Sequence, residues 1–437
     1  MKLGRVVVAC VAGIGVVVGW WAMAQTRSVA SPVAAVITPV PGMPAVADPA
    51  NLYSETAAGK LSPAVQGALP RVYVPNRRSN TVSVIDPETL QVIDTFKVGR
   101  NPQHVVPSWD LKTLWVANNA EGRTDGSLTP IDPWTGKPGP AIAVDDPYNV
   151  YSSPDGKSLI IVAEELKRLD FRDPWTLKLQ YSIATPRCGG INHADFAIDG
   201  SFALFTCEFD GAVTKIDLVN RRVIDTITLT PYYTRPDVVA QLAALERKKK
   251  SQILIPTPVL VQDAPELGGA ICTTRGMPQD VRISPDGKTF FVADMLADGV
   301  HVVDGASFKQ TGFIPTGVGA HGLYPSRDGR KLYVANRGTN KMMVRAGVAK
   351  GSVSVIDFAT AKVEQTWPIP GGGSPDMGNV SADGKYLWLS GRFDDVVYRI
   401  DITSGAIDKI KVGKEPHGLT VWPQPGRYSL GHTGNLR

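Results

Sequence analysis

Short apolar runs that alternate with polar residues and end in aspartate recur down this chain. They read TVSVID, SLTPID, RLDFRD, AVTKID, GVHVVD, SVSVID and VVYRID, closing at Asp86, Asp132, Asp173, Asp217, Asp304, Asp357 and Asp401. Alternation with a period of two marks a half-buried β-strand. The closing aspartate suits a turn, because its carboxylate accepts from backbone N–H groups a few residues on. Most of these runs are spaced by about 44 residues, the length of one four-stranded propeller blade. A strand pair around an Asp-Gly turn precedes the runs, as in SSPDGKSLIIVAE, AIDGSFALFTCE, SPDGKTFFVAD, SRDGRKLYVAN and SADGKYLWLSG. Glycine there supplies the positive φ that a tight hairpin needs; PSWDLKTLWVAN is a sixth copy with Leu111 in that place. A fourth strand follows in QVIDTFKVG, RVIDTITL and AIDKIKVG.

The unit that starts near Arg71 lacks its first strand, and PHGLTVWPQPG after Glu415 is a first strand without a unit. Pairing the two closes a ring and removes exposed edges. The pattern therefore predicts an all-β fold, a seven-bladed β-propeller of four-stranded antiparallel blades over residues 71–437, closed by the C-terminal strand. The wide gap between Asp217 and Asp304 places an insertion at 231–276 in the fourth blade. Within it PDVVAQLAALERKKK predicts a short helix, with Asp237 at its start and Arg247 to Lys250 at its end, where they suit the helix dipole.

The 437 residues are 43% hydrophobic with a net charge of +5 and no dominant basic run. That supports a large core and gives no reason to expect nucleic acid as a partner. Residues 1–24 read as a signal peptide or signal anchor: Lys2 and Arg5, an apolar stretch from Val6 to Trp21, then Ala22-Met23-Ala24. A periplasmic or extracellular protein is expected, tethered to a membrane only if that segment stays uncleaved. Residues 25–70, rich in Ala and Pro, read as an extended linker.

LYVAN, TVSVID, SVSVID and SPDGK, at these spacings, resemble the YVTN-repeat (YncE-like) β-propellers over about residues 71–425. Members of that group are exported or surface-associated. Relatives include non-enzymatic binding proteins and the propellers of nitrous oxide reductase and of haem-binding nitrite reductase. The resemblance implies the fold and leaves activity open. This sequence has no CxxCH motif for covalent haem.

Four of the six histidines begin innermost strands: His104, His193, His321 and His417, with Asn149, Asp280 and Asp376 in the equivalent places of the other blades. All seven would open onto one mouth of the central channel. Imidazoles and carboxylates on one axis suit a divalent metal, with His104, His193, His321 and His417 as ligands, or a non-covalent tetrapyrrole. Arg77, Arg337 and Arg392 follow second strands and would join that mouth, where they suit an anionic group. His301 and His432 carry no expected role. An oxidising compartment favours a disulfide, pairing Cys188 with Cys207 or Cys272.

Three functions follow in order of preference. The first is a non-catalytic, monomeric binding protein that takes a small ligand or partner protein of the cell envelope on the His/Asp-lined face. The second is a metal- or tetrapyrrole-binding protein of redox chemistry or cofactor assembly. The third is a metal-dependent lyase or lactonase. No nucleotide loop, hydrolase elbow or metalloprotease motif is present, which favours the first.

Overall fold

Seven sheets radiate from one axis, and their innermost strands are Thr420–Trp422, Pro102–Pro107, Pro147–Ser152, Ile191–Phe196, Pro278–Ile283, Ala320–Pro325 and Pro375–Val380. The computed structural model describes residues 37–230, 276–338, 349–432 and 434–437, with the backbone of 259–260 and 271–272. Each blade is antiparallel. The first is completed from the far end of the sequence, with Arg71 opposite Trp422, Val72 opposite Val421 and Tyr73 opposite Thr420. This is the expected closure.

The repeated residues do the local work that their chemistry suggests. Asp86, Asp132, Asp173, Asp217 and Asp401 each accept from two backbone N–H groups of the turn that follows. Asp304 and Asp357 accept from the N–H of Ser307 and of Thr360. In the Asp-Gly hairpins a serine hydroxyl donates to the aspartate, as Ser153 does to Asp155 at 2.6 Å. Leu111 keeps the glycine conformation at φ +65° while its side chain is fully buried. Packing thus outweighs a backbone geometry that β-carbons disfavour.

The core lies between blades. Outer strands such as Val92–Lys97 are largely exposed, whereas inner strands such as Pro102–Pro107 are buried throughout. One cluster joins Tyr151 and Ile160 of the third blade to Phe196 and Phe205 of the fourth.

Two expectations change. From residue 37 to 70 the chain is not an extended tether but lies against the propeller. Leu52, Tyr53 and Val65 are buried, the Tyr53 hydroxyl donates to the Ile283 carbonyl at 2.6 Å, and Leu69 N–H donates to Pro133 O at 3.0 Å. Isolated apolar side chains, without any period, fix this strap. Secondly, the third blade carries two added strands, Ser429–Gly431 and Asn435–Leu436, from the segment after the closing strand. The signal segment and the helix expected from Asp237 lie outside the described residues. In the insertion, Val259–Leu260 pairs with Ile271–Cys272.

Candidate functional site

Six inner strands slip register by a bulge near their first residues. The shifts fall at Pro102/His104, Pro147/Asn149, Ile191/Ala194, Pro278/Val281, Ala320/Gly322 and Pro375/Gly378. A bulge re-aims side chains that the regular pleat would send into the sheet packing. His193, Asp280, His321, Asp376 and Met377 sit within these bulges, and His104 and Asn149 border them. The recurrence explains how six strands of different sequence present polar groups to one axis.

The structure sorts these residues into two kinds. Asn149 and Asp280 are taken up by the backbone. The Asn149 Oδ1 accepts from Val150 N, and Asp280 accepts from Val281 N and, across the blade boundary, from Leu323 N. Asp280 lies 3.4 Å from Arg282, and burial pushes its carboxyl up to about 6. Asp280 thereby ties the fifth blade to the sixth. His104, His193, His321, His417 and Asp376 instead converge.

Ring centroids of His104 lie 4.8 Å from His417 and 5.3 Å from His193, and His321 lies 6.1 Å from His417. Gly418 permits this, since a Cβ there would overlap the His104 Nδ1. The grouping differs from the expected four-histidine set. His321 Nδ1 lies 3.0 Å from Asp376 Oδ1 and His417 Nδ1 3.8 Å from Asp376 Oδ2. His432 joins His104 and His193 as the third member of a compact trio. Its ring centroid is 4.0 Å from His104 and 5.0 Å from His193, and one ligand atom of each of the three lies within 4.8 Å of the others.

These imidazoles are buried and poorly partnered. Both ring nitrogens of His104 lack a hydrogen bond, as do Nδ1 of His417 and of His432. Both nitrogens of His193 also lack one of ordinary geometry, although its ring lies beside the Gln279 backbone. Burial holds all five rings well below the ordinary imidazole range. Neighbouring guanidinium groups add to this, Arg392 and Arg77 for His104 and Arg282 and Arg337 for His193. At neutral pH the rings are uncharged, so each keeps a lone pair available to a ligand.

The arginines are engaged. Arg77 bridges Glu415 and Glu121 at 2.8 and 2.5 Å. Arg337 donates to Asp376, and Arg392 lies 3.7 Å from the same carboxylate. Burial raises Tyr148, whose ring meets His104 edge-on at 5.4 Å, and the carboxyl of Glu208, which accepts from Asn192 at 3.1 Å. His301 pairs with Asp294 at 3.1 Å, a structural contact away from this cluster. Cys188 and Cys207 form a disulfide; the side chain of Cys272 lies outside the described residues.

Sequence reading gives His432 no role and takes Met377 for core or loop filler, yet the two side chains meet, His432 Nε2 lying 3.3 Å from the Met377 sulfur. Met377 stands next to Asp376 in an inner strand, so its position was available. Nothing local announced His432, which arrives on a segment with no repeat signature.

Comparisons with known proteins agree on the architecture. Antigen Lp49 of Leptospira interrogans serogroup Icterohaemorrhagiae serovar copenhageni (strain Fiocruz L1-130) is 33% identical over 136 residues, 29% of each protein, so this chain spans under a third of that relative's length. Hydrazine synthase of Kuenenia stuttgartiensis superposes with a TM-score of 0.52 at 19% identity, over 72% of this chain and 87% of that one. Dihydro-haem d1 dehydrogenase NirN, solved in complex with DHE, gives 0.51 at 14% identity, over 88% and 78%. At such identities these structures share the fold alone. The YNCE-like beta-propeller family matches residues 23–179 and 267–425, leaving out the fourth blade and most of the insertion and reaching the closing strand. Ring, closure and match coincide, and the chain belongs to the YNCE-like beta-propeller family.

Proposed function

We propose that this protein is a non-catalytic binding propeller that holds one late transition-metal ion in its axial channel. One observation carries the reading: the uncharged, buried imidazoles of His104, His193 and His432 converge, with both nitrogens of His104 and Nδ1 of His432 lacking a hydrogen-bond partner. A buried polar atom left unpaired costs about 1–3 kcal/mol, and such a group calls for an ion or water to satisfy it. Histidine nitrogens bind zinc- and copper-class ions. The rings sit 4.0–5.3 Å apart, centroid to centroid. That spacing favours a single ion over a flat tetrapyrrole, and holding over turnover of a bulky substrate. Action outside the cytosol is part of the same proposal, supported by the N-terminal sequence and by the Cys188–Cys207 bond.

The test is metal content of the protein isolated without chelator, followed by titration of the stripped protein with Cu(I), Zn(II) and Co(II). One equivalent per chain is expected, lost in His104→Ala and His193→Ala. A folded protein that binds none of these ions stoichiometrically overturns the reading. Fractionation of the producing cell tests the location, and a wholly cytosolic pool would refute it.

A further inference from the structure

The segment after the closing strand does more than cover the hub. It is anchored at several points: Ser429 N–H donates to Trp109 O at 3.2 Å, Gly431 pairs with Tyr151, and Arg437 donates to the Asp195 carboxylate at 2.8 Å. Between these anchors it inserts His432 into the channel, fully buried. The His432 Nε2 lies 3.3 Å from the thioether sulfur of Met377. Neighbouring nitrogen and sulfur donors on one ion stand roughly 3.3–3.6 Å apart, given bonds of ~2.0 and ~2.3 Å. The two atoms are therefore spaced as ligands already.

The donor set is electrically neutral: three imidazoles and a thioether. The Asp376 carboxylate beside Met377 in the chain is bonded to Arg337. The cost of burying an ion grows with the square of its charge, so buried neutral donors suit a singly charged ion. Soft thioether sulfur selects copper(I) among the common biological metals. The imidazoles must draw inward by roughly 1–1.5 Å to reach a common ion.

Resting on the metal-binding reading above, we infer that the axial site is a copper(I)-class site completed by the segment 423–437, with His104 and His193 from inner strands, His432 from that segment and Met377 as the soft donor. Occupancy and docking of the segment are then linked, because the ion binds only the docked state tightly.

The full chain, reduced and metal-free, is titrated with Cu(I) against a chromophoric Cu(I) chelator, and with Zn(II) in parallel. Amide hydrogen exchange is followed over residues 427–437. One Cu(I) per chain is expected, held at least about 100-fold more tightly than Zn(II), with slower exchange in the segment. His432→Ala should weaken Cu(I) by about 100-fold and remove the exchange effect. Met377→Leu, which keeps the side-chain volume, should weaken Cu(I) by about 10-fold or more while leaving thermal stability in place. Equal or tighter Zn(II) binding overturns the copper(I) assignment. Wild-type Cu(I) affinity in both variants, with binding lost in His104→Ala, overturns the role of the segment and leaves the metal-binding reading standing. No binding of either ion overturns both.

Discussion

The Asp376 carboxylate accepts two hydrogen bonds from Arg337 through a single oxygen, from Nε at 2.9 Å and from a terminal nitrogen at 2.5 Å. The same group faces His321, His417 and Arg392. It thus gathers two buried guanidinium groups and two imidazoles of the hub around one charge. Asp376→Asn keeps the shape and removes the charge, leaving Arg337 buried without its counter-ion. The expected loss is about 3–5 kcal/mol, read from the urea midpoint. A loss under about 1 kcal/mol would show that another group neutralises Arg337.

Gly418 is where the backbone makes room for His104. Gly418→Ala should displace that ring and cost about 1–3 kcal/mol by overpacking, with weaker metal binding alongside. Gly312→Ala is the control, because a Cβ there meets its nearest neighbour at an ordinary 3.5 Å; it should stay within about 0.5 kcal/mol. Equal melting temperatures for the two variants would contradict the proposed fit.

The disulfide joins residues 19 apart in sequence. Cys188→Ala should cost about 3 kcal/mol by the chain-entropy account. Reduction of the wild-type protein should move its denaturation midpoint in the same direction. An unchanged midpoint in both would show that the link adds nothing to stability.

Acid should destabilise the metal-free protein. Burial keeps His104, His193, His321, His417 and His432 neutral in the fold, well below the ordinary imidazole pKa. In the unfolded chain they titrate near ~6.5. Below that pH the unfolded state binds more protons, so stability is fully present above about pH 7 and is lost as pH falls. The slope is up to about 1.4 kcal/mol per pH unit for each ring that stays neutral. Urea unfolding with chelator at about pH 7.5, 6.5 and 5.5 reads this. A flat profile would mean that the rings take up protons in place.

The architecture was legible because its signals are local. Alternating runs mark strands, Asp86 and its counterparts mark turns, and the orphan strand after Glu415 marks closure. His104 and His193 were legible for the same reason, since the repeat fixes where an inner strand begins. The bulges that aim them were not, because a register slip depends on the partner strand. Cys188 was left with two partners, and cross-strand pairing decides between them: Ile191 lies opposite Cys207, which brings Cys188 alongside. The strap at 37–70 has no period to read, since Leu52 and Tyr53 are buried by a surface that other blades build. His432 depends on how residues 423–437 thread the hub, which no nearby residue records.

Pairing of Tyr73 with Thr420 has a temporal consequence. A ribosome must emit nearly the whole polypeptide before the first blade acquires its innermost strand. Intermediate blades can assemble as they emerge, yet the hub stays unfinished until late in synthesis. A nascent product stalled before residue 420 would carry most of its sheets and none of its finished hub.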